Sequence, residues 1–103
     1  MALRIVWTPQ AERGLVKVIE YLEKEWTVRE ILVLEQNLQN LLNRISKYPK
    51  ICPATGKYKN VHKGLVDKNN YIVYRIQAKK EFIEIINFRG TKQKPVEPDS
   101  ASK

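Results

Sequence analysis

The sequence predicts an α+β domain in which an N-terminal strand, an antiparallel two-helix hairpin and a three-stranded antiparallel meander follow one another (β-α-α-β-β-β), with the helices packed on one sheet face. Three observations carry that expectation. Apolar residues recur at spacings of three and four from Ala11 to Ile45, with one interruption near Trp26. Three later segments are rich in Val, Ile, Tyr and Phe, and a short alternating segment precedes the whole series.

Leu3, Ile5 and Trp7 alternate with Arg4 and Val6, as in a short, half-buried strand. Thr8-Pro9 then supplies an N-cap hydroxyl and a proline at the first helical position, so a helix starts there. Ala11, Leu15, Val18, Ile19 and Leu22 form its apolar stripe, with Glu12, Lys17, Glu20 and Lys24 mostly on the rest of the cylinder. Gly14 reads as a slight weakening. The helix ends near Glu25-Trp26, because Thr27 followed three residues later by Glu30 is a capping box that opens a second helix. Its stripe is Ile31, Leu34, Leu38, Leu41, Leu42 and Ile45, and it stops at Tyr48-Pro49, where proline excludes helical geometry from its neighbour. About 20 residues rising ~1.5 Å each make a rod of roughly 30 Å. The leucines repeat over too few heptads for a coiled coil, and a helix covering a sheet accounts for them.

Lys50 to Gly56 reads as a loop. Val61 to Val66, Tyr71 to Ile76 and Phe82 to Phe88 read as strands, joined by Asp67-Lys68-Asn69-Asn70 and Gln77-Ala78-Lys79-Lys80 in two tight hairpins, with the first strand joining the meander. Residues 1–95 make one domain and residues 96–103 a flexible C-terminal tail. There is no long uncharged apolar run to span a membrane. The N-terminal MALRIVW is too short for a signal h-region, and the lone Cys52 has no partner for an internal disulfide, so a cytoplasmic location is expected.

The net charge of +8 is unevenly spread: residues 1–45 hold six Lys/Arg and six Glu, whereas residues 46–96 hold twelve Lys/Arg against three Asp/Glu. A surplus so concentrated attracts a polyanion or an acidic partner, or else forms a Lys-rich edge that discourages strand aggregation. One His and one Cys ten residues apart do not make a metal-ligand set, and neither a glycine-rich phosphate loop nor a hydrolytic triad is present. No metal and no small-molecule cofactor is therefore expected.

What remains is a set of cations interleaved with aromatics. Lys57, Lys59, Lys63, Tyr71, Tyr74 and Lys94 are candidates for binding nucleic acid, the cations against phosphates and the tyrosines against bases splayed from a single strand. A metal-independent ribonuclease also needs a base for the 2′-hydroxyl, an acid for the leaving oxygen and cations at the phosphorane. His62 would supply an imidazole for proton transfer and Arg75, Arg89 and Lys92 would hold the charge, which makes these four the catalytic candidates. The structural alternatives are a His62 bonded to backbone or facing solvent, and tyrosines that serve the core.

Four strings in this order carry a family resemblance: IVWTPQA (residues 5–11), L-x-x-V-I-x-Y-L (residues 15–22), YIVYRI (residues 71–76) and EIINFRGTKQKP (residues 84–95). Together they resemble the RelE/ParE superfamily of toxins from bacterial type II toxin-antitoxin modules, often labelled plasmid-stabilisation proteins, over residues 3–95. The resemblance implies a cognate antitoxin that wraps the toxin. It also implies a target, either mRNA cut on the ribosome or DNA gyrase inhibited by binding; the leading expectation is ribosome-dependent mRNA cleavage, with gyrase inhibition and a basic RNA-binding module as alternatives. Nuclease members carry an Arg early in the Y-x-x-x-Y strand, where this chain has Tyr71, with Arg75 further along. Many relatives end in D-x-R-Q-x-P, against which this chain has Gly90 for the acid and Lys92 for the Arg. Lysine keeps the charge but loses the planar fork that grips a phosphate, and no aromatic follows it, so the general acid is unassigned and the resemblance leaves enzymatic activity open.

Overall fold

Strand gives way to helix at Thr8 through its own side chain. The Thr8 hydroxyl accepts from the Ala11 N–H at 3.2 Å and donates to the Ile85 carbonyl at 2.8 Å, so a single group caps the helix and ties it to the sheet. A computed structural model describes residues 2–90. In it β1 (Arg4–Trp7) leads through this cap into α1 (Pro9–Glu25), which stops where the extended Trp26 closes the last turn onto the Leu22 carbonyl at 2.8 Å. Helix α2 (Val28–Lys47) starts at once, because the Glu30 carboxylate accepts from the Thr27 N–H at 3.0 Å and also from the Thr27 hydroxyl. Those bonds hold the Glu30 carboxyl below the usual range, the hydroxyl being the larger cause.

Strands β2 (Val61–Asp67), β3 (Asn70–Gln77) and β4 (Phe82–Gly90) complete a four-stranded sheet of order β1-β4-β3-β2. The meander is antiparallel as expected, while β1 pairs parallel to β4, so the sheet is mixed. The first hairpin is tight: Asp67 pairs with Asn70, and its carboxylate accepts from the Asn69 N–H at 2.8 Å and the Asn70 amide at 3.0 Å. The second connection departs from the tight hairpin expected. It holds a 3-10 turn (Ala78–Lys80) that returns to the sheet through a left-handed Glu81, φ 61°. On the outer side of β2, the loop adds a short pairing of its own: the Thr55 N–H donates to the Val61 carbonyl at 2.9 Å and the Lys63 N–H to the Pro53 carbonyl at 3.0 Å. The flexible tail expected at 96–103 lies outside the described residues, as do Lys92 and Lys94.

Both helices lie on one sheet face, α1 against β4 and α2 against β2. Leu34, Leu38, Leu41, Leu42 and Ile45 of α2, with Ala11 and Val18 of α1, bury against Ile72, Tyr74, Ile76, Ile83, Ile85 and Phe88. Full burial of such side chains stabilises by about 1.5–3 kcal/mol each. Tyr74 is 0 % exposed, and its hydroxyl donates to the Pro49 carbonyl at 2.7 Å. Burial pushes its phenol pKa well up.

Because β1 pairs only with Phe82 to Ile85, the rest of that edge of β4 is left to α1. Here Gly14 does more than the slight weakening the sequence suggests: a Cβ on it would lie 2.2 Å from the Phe88 carbonyl oxygen. The missing side chain lets helix and strand edge touch.

In an exposed helix Gly→Ala stabilises by about 1 kcal/mol. At Gly14 the sign should reverse, with Gly14→Ala costing about 2 kcal/mol through backbone displacement, read from denaturation midpoints. Tyr74→Phe orphans the Pro49 carbonyl and should cost about 1–2 kcal/mol. The folded phenol keeps its proton where the unfolded one, with pKa about 10, has lost it, so wild-type stability falls as pH rises above about 10. In Tyr74→Phe that alkaline fall should be shallower.

Candidate functional site

Strand parity decides which side chains the sheet presents away from the helices. On β2, Lys63 and Leu65 face outward while His62, Gly64 and Val66 face α2 and the core. On β3, Tyr71, Val73, Arg75 and Gln77 face outward. Strand β4 reverses parity midway. Tyr74 pairs with Ile85 but Val73 pairs with Asn87, so Ile86 is an extra residue, and the bulge turns both Glu84 before it and Arg89 after it to the open face. Without the bulge Arg89 would point into the core and Phe88 into solvent.

The open face therefore carries Lys63, Arg75 and Arg89 together. At one end the Lys63 ammonium sits 4.2 Å from the centre of the Tyr71 ring, a cation–π contact, and Tyr71 is the register partner of Arg89. Toward the other end Arg75 lies opposite Glu84, and Arg4 stands 5.7 Å over the Phe82 ring. Tyr71 and Arg75, four residues apart on β3, are separated by roughly 13 Å of strand. Lys63 and Arg89 are exposed, whereas Tyr71, Arg75 and Glu84 are half-buried.

Two candidates are displaced from this face. His62 is 7 % exposed, its Nδ1 lies 2.7 Å from the Cys52 carbonyl oxygen, and its ring stacks on Tyr74 at 5.5 Å between centroids. Parity thus puts it beneath the sheet, on the opposite side from Arg75 and Arg89, which corrects its expected grouping with them as a catalytic base. Tyr74 belongs to the same buried stack, so its ring is closed to a nucleic-acid base. Lys57 and Lys59 are exposed in the loop that enters β2, on neither strand face. Four charged residues that the sequence pattern did not single out also belong here: Glu84 and Arg4 on the open face, and Arg13 and Lys17 on α1. The last two, spaced four apart and off the apolar stripe, carried a detectable signal.

A second surface is apolar. A groove of about 260 Å³ lies between the helices and the β2–β3 turn, walled by Tyr21, Leu22, Trp26 and Val33 and rimmed by Arg29, Glu30 and Asp67. Trp26 is 55 % exposed there. Among the described residues no group of three or more His, Cys, Asp or Glu could hold a metal ion, and no helix is long and apolar enough to cross a membrane.

This architecture is shared with toxins of known structure. The chain is similar to the toxin-antitoxin complex RelBE2 from Mycobacterium tuberculosis at TM-score 0.62 and 13% identity, covering 87% of this chain and 99% of that one. It is similar to the YoeB/ParE toxin from Agrobacterium tumefaciens at TM-score 0.63 and 15% identity, covering 85% and 98%. The DinJ-YafQ toxin-antitoxin complex of E. coli aligns at TM-score 0.57 and 11% identity, covering 87% and 93%. No curated protein sequence matches the chain. At such identities the likeness establishes the fold, and the family follows from a sequence model instead. The model for the ParE toxin of the type II toxin-antitoxin system, parDE, matches residues 5–95, so the chain belongs to that family, within the RelE/ParE superfamily of toxins.

Proposed function

We propose that this toxin inhibits growth by seating its open sheet face on a polyanionic cellular target, binding it without cleaving it, in the manner of a gyrase inhibitor. The observation that carries this reading is the position of His62. The chain has one histidine, and it is stacked under the sheet with its Nδ1 on a backbone carbonyl. The face that gathers Lys63, Arg75 and Arg89 thus holds charge for gripping phosphates without an imidazole to move protons. A DNA-bound gyrase offers such a target.

A second reading, ribosome-dependent mRNA cleavage, is favoured by one pairing. Glu84 lies opposite Arg75 on the open face, so its carboxylate would take the 2′-hydroxyl proton as the 2′-oxygen bonds to phosphorus. The guanidinium would hold charge developing on the phosphorane, and the P–O5′ bond would break with the 5′-oxygen taking a proton from water. In that case Glu84 replaces His62 as base, and Arg75, Arg89 and Lys92 keep the roles expected of them.

The partner is a cognate antitoxin, as in the RelBE2 and DinJ-YafQ complexes. The groove around Trp26 and Val33 supplies the apolar surface such a partner needs, away from the cationic face. With these partners the protein would work in the cytoplasm.

Inducible expression in cells, with gyrase–DNA cleavage complexes and transcript 5′ ends mapped in the same cultures, separates the two readings. Binding predicts stabilised gyrase complexes, intact transcripts, and loss of arrest in Lys63→Gln/Arg89→Gln, with Glu84→Gln still toxic. New transcript ends that disappear in Glu84→Gln would instead establish cleavage. His62→Gln should lower thermal stability and leave arrest in place under either reading.

A further inference from the structure

Arg89 faces two ways. Besides its place on the open sheet face, it lines a cleft of about 320 Å³ where α1 crosses the uncovered edge of β4. The cleft's other charged walls are Arg13 and Lys17 of α1, and no carboxylate lines it. Gln10 and Asn87 close one side, joined by a hydrogen bond from the Gln10 amide to the Asn87 side-chain oxygen, which leaves the Asn87 amide N–H groups free to donate. Gly14, Phe88 and Gly90 complete the lining.

Gln10, Arg13 and Lys17 follow one another at spacings of three and four, with Gly14 beside Arg13, so they form a single stripe along α1 beside its apolar face. That stripe is distinct from the strand residues. Two guanidinium groups, an ammonium and an amide line one cleft from α1 and β4, and the guanidinium fork matches the paired oxygens of a phosphate.

We propose that this cleft holds a backbone phosphate of a polynucleotide strand, so that nucleic acid leaving the open sheet face passes Arg89 and continues over the first turns of α1. The inference rests on the polyanion reading of the sheet face and extends it by naming the phosphodiester as the recognised group and α1 as a second contact surface. Bare exposed cations repel one another, and a phosphate between them removes that repulsion.

The test uses the full-length chain and fluorescent oligonucleotides of about 12 nucleotides, as single-stranded RNA, single-stranded DNA and duplex DNA, titrated over a range of salt. Arg13→Gln/Lys17→Gln should weaken the best-bound of the three by about 10-fold or more at low salt and reduce the magnitude of the slope of log affinity against log salt by roughly 0.7–0.9 for each phosphate that is no longer neutralised. Which of the three suffers most identifies the strand. Both substitutions lie on an exposed helix face, and an unchanged melting temperature separates lost binding from lost folding. Equal affinity and equal slope for variant and wild type would overturn the proposal. So would a Glu-rich peptide that displaces the oligonucleotide from wild type as well as unlabelled oligonucleotide does, since the cleft would then recognise charge alone. If Arg13→Gln/Lys17→Gln loses oligonucleotide while Lys63→Gln/Arg75→Gln, which leaves every cleft residue in place, still arrests growth, the cleft stands and the sheet-face function falls.

Discussion

The van der Waals contact between Gly14 and the Phe88 carbonyl sets where the helical layer meets the sheet. Because β1 is only four residues long, more than half of the outer edge of β4 has no strand beside it, and a helix must cover what a strand does not. A helix approaches a strand edge this closely only where a side chain is missing. The bulge at Ile86 belongs to the same arrangement. It lets Ile83 and Ile85 on one side of it and Phe88 on the other all point inward, and so keeps β4 in the core along its length. Thr8 joins the two features, with one hydroxyl serving the start of α1 and the Ile85 carbonyl just before the bulge.

The chemistry of the surface follows from that geometry. Turning Phe88 in turns Arg89 out, where it meets Tyr71 across the ladder and Arg13 and Lys17 across the edge. The excess charge that the second half of the sequence carries is thus joined to cations from the electrically balanced first half, and the basic surface is built by the fold from both. The apolar groove lies toward the hairpin tip, between Trp26 and the β2–β3 turn, and it adjoins the cationic cleft at Gly90, which lines both.

Local chemistry was legible in the sequence. Thr8-Pro9, the Thr27–Glu30 pair and Tyr48-Pro49 fixed the ends of both helices to within a residue or two, because caps act over one turn. Long-range relations were less legible. Nothing in Leu3 to Trp7 says whether the strand pairs parallel or antiparallel, since that depends on the path of two intervening helices. In Val61 to Val66 both parities contain apolar residues, so alternation alone could not say whether His62 or Lys63 faces out; Leu41 and Cys52 packed over Gly64 decide it. The bulge carries no glycine or proline to mark it, and a strict period of two through Ile85-Ile86-Asn87 would have misplaced Arg89. Lys63, Arg75 and Arg89 nevertheless share one face, because the residues beside them along their strands, His62 and Gly64, Tyr74 and Ile76, and Phe88, turn inward.

The pairing of Pro53 to Thr55 along β2 bears on how the molecule meets other chains. The outer side of that strand would otherwise present a ladder of free backbone groups, and the loop occupies its first half, taking the Val61 carbonyl and the Lys63 N–H. Only the stretch toward Asp67 is left for an incoming strand, too short a template for stacking copy on copy. The loop thus acts as a guard on this edge, leaving a second copy little backbone to pair with.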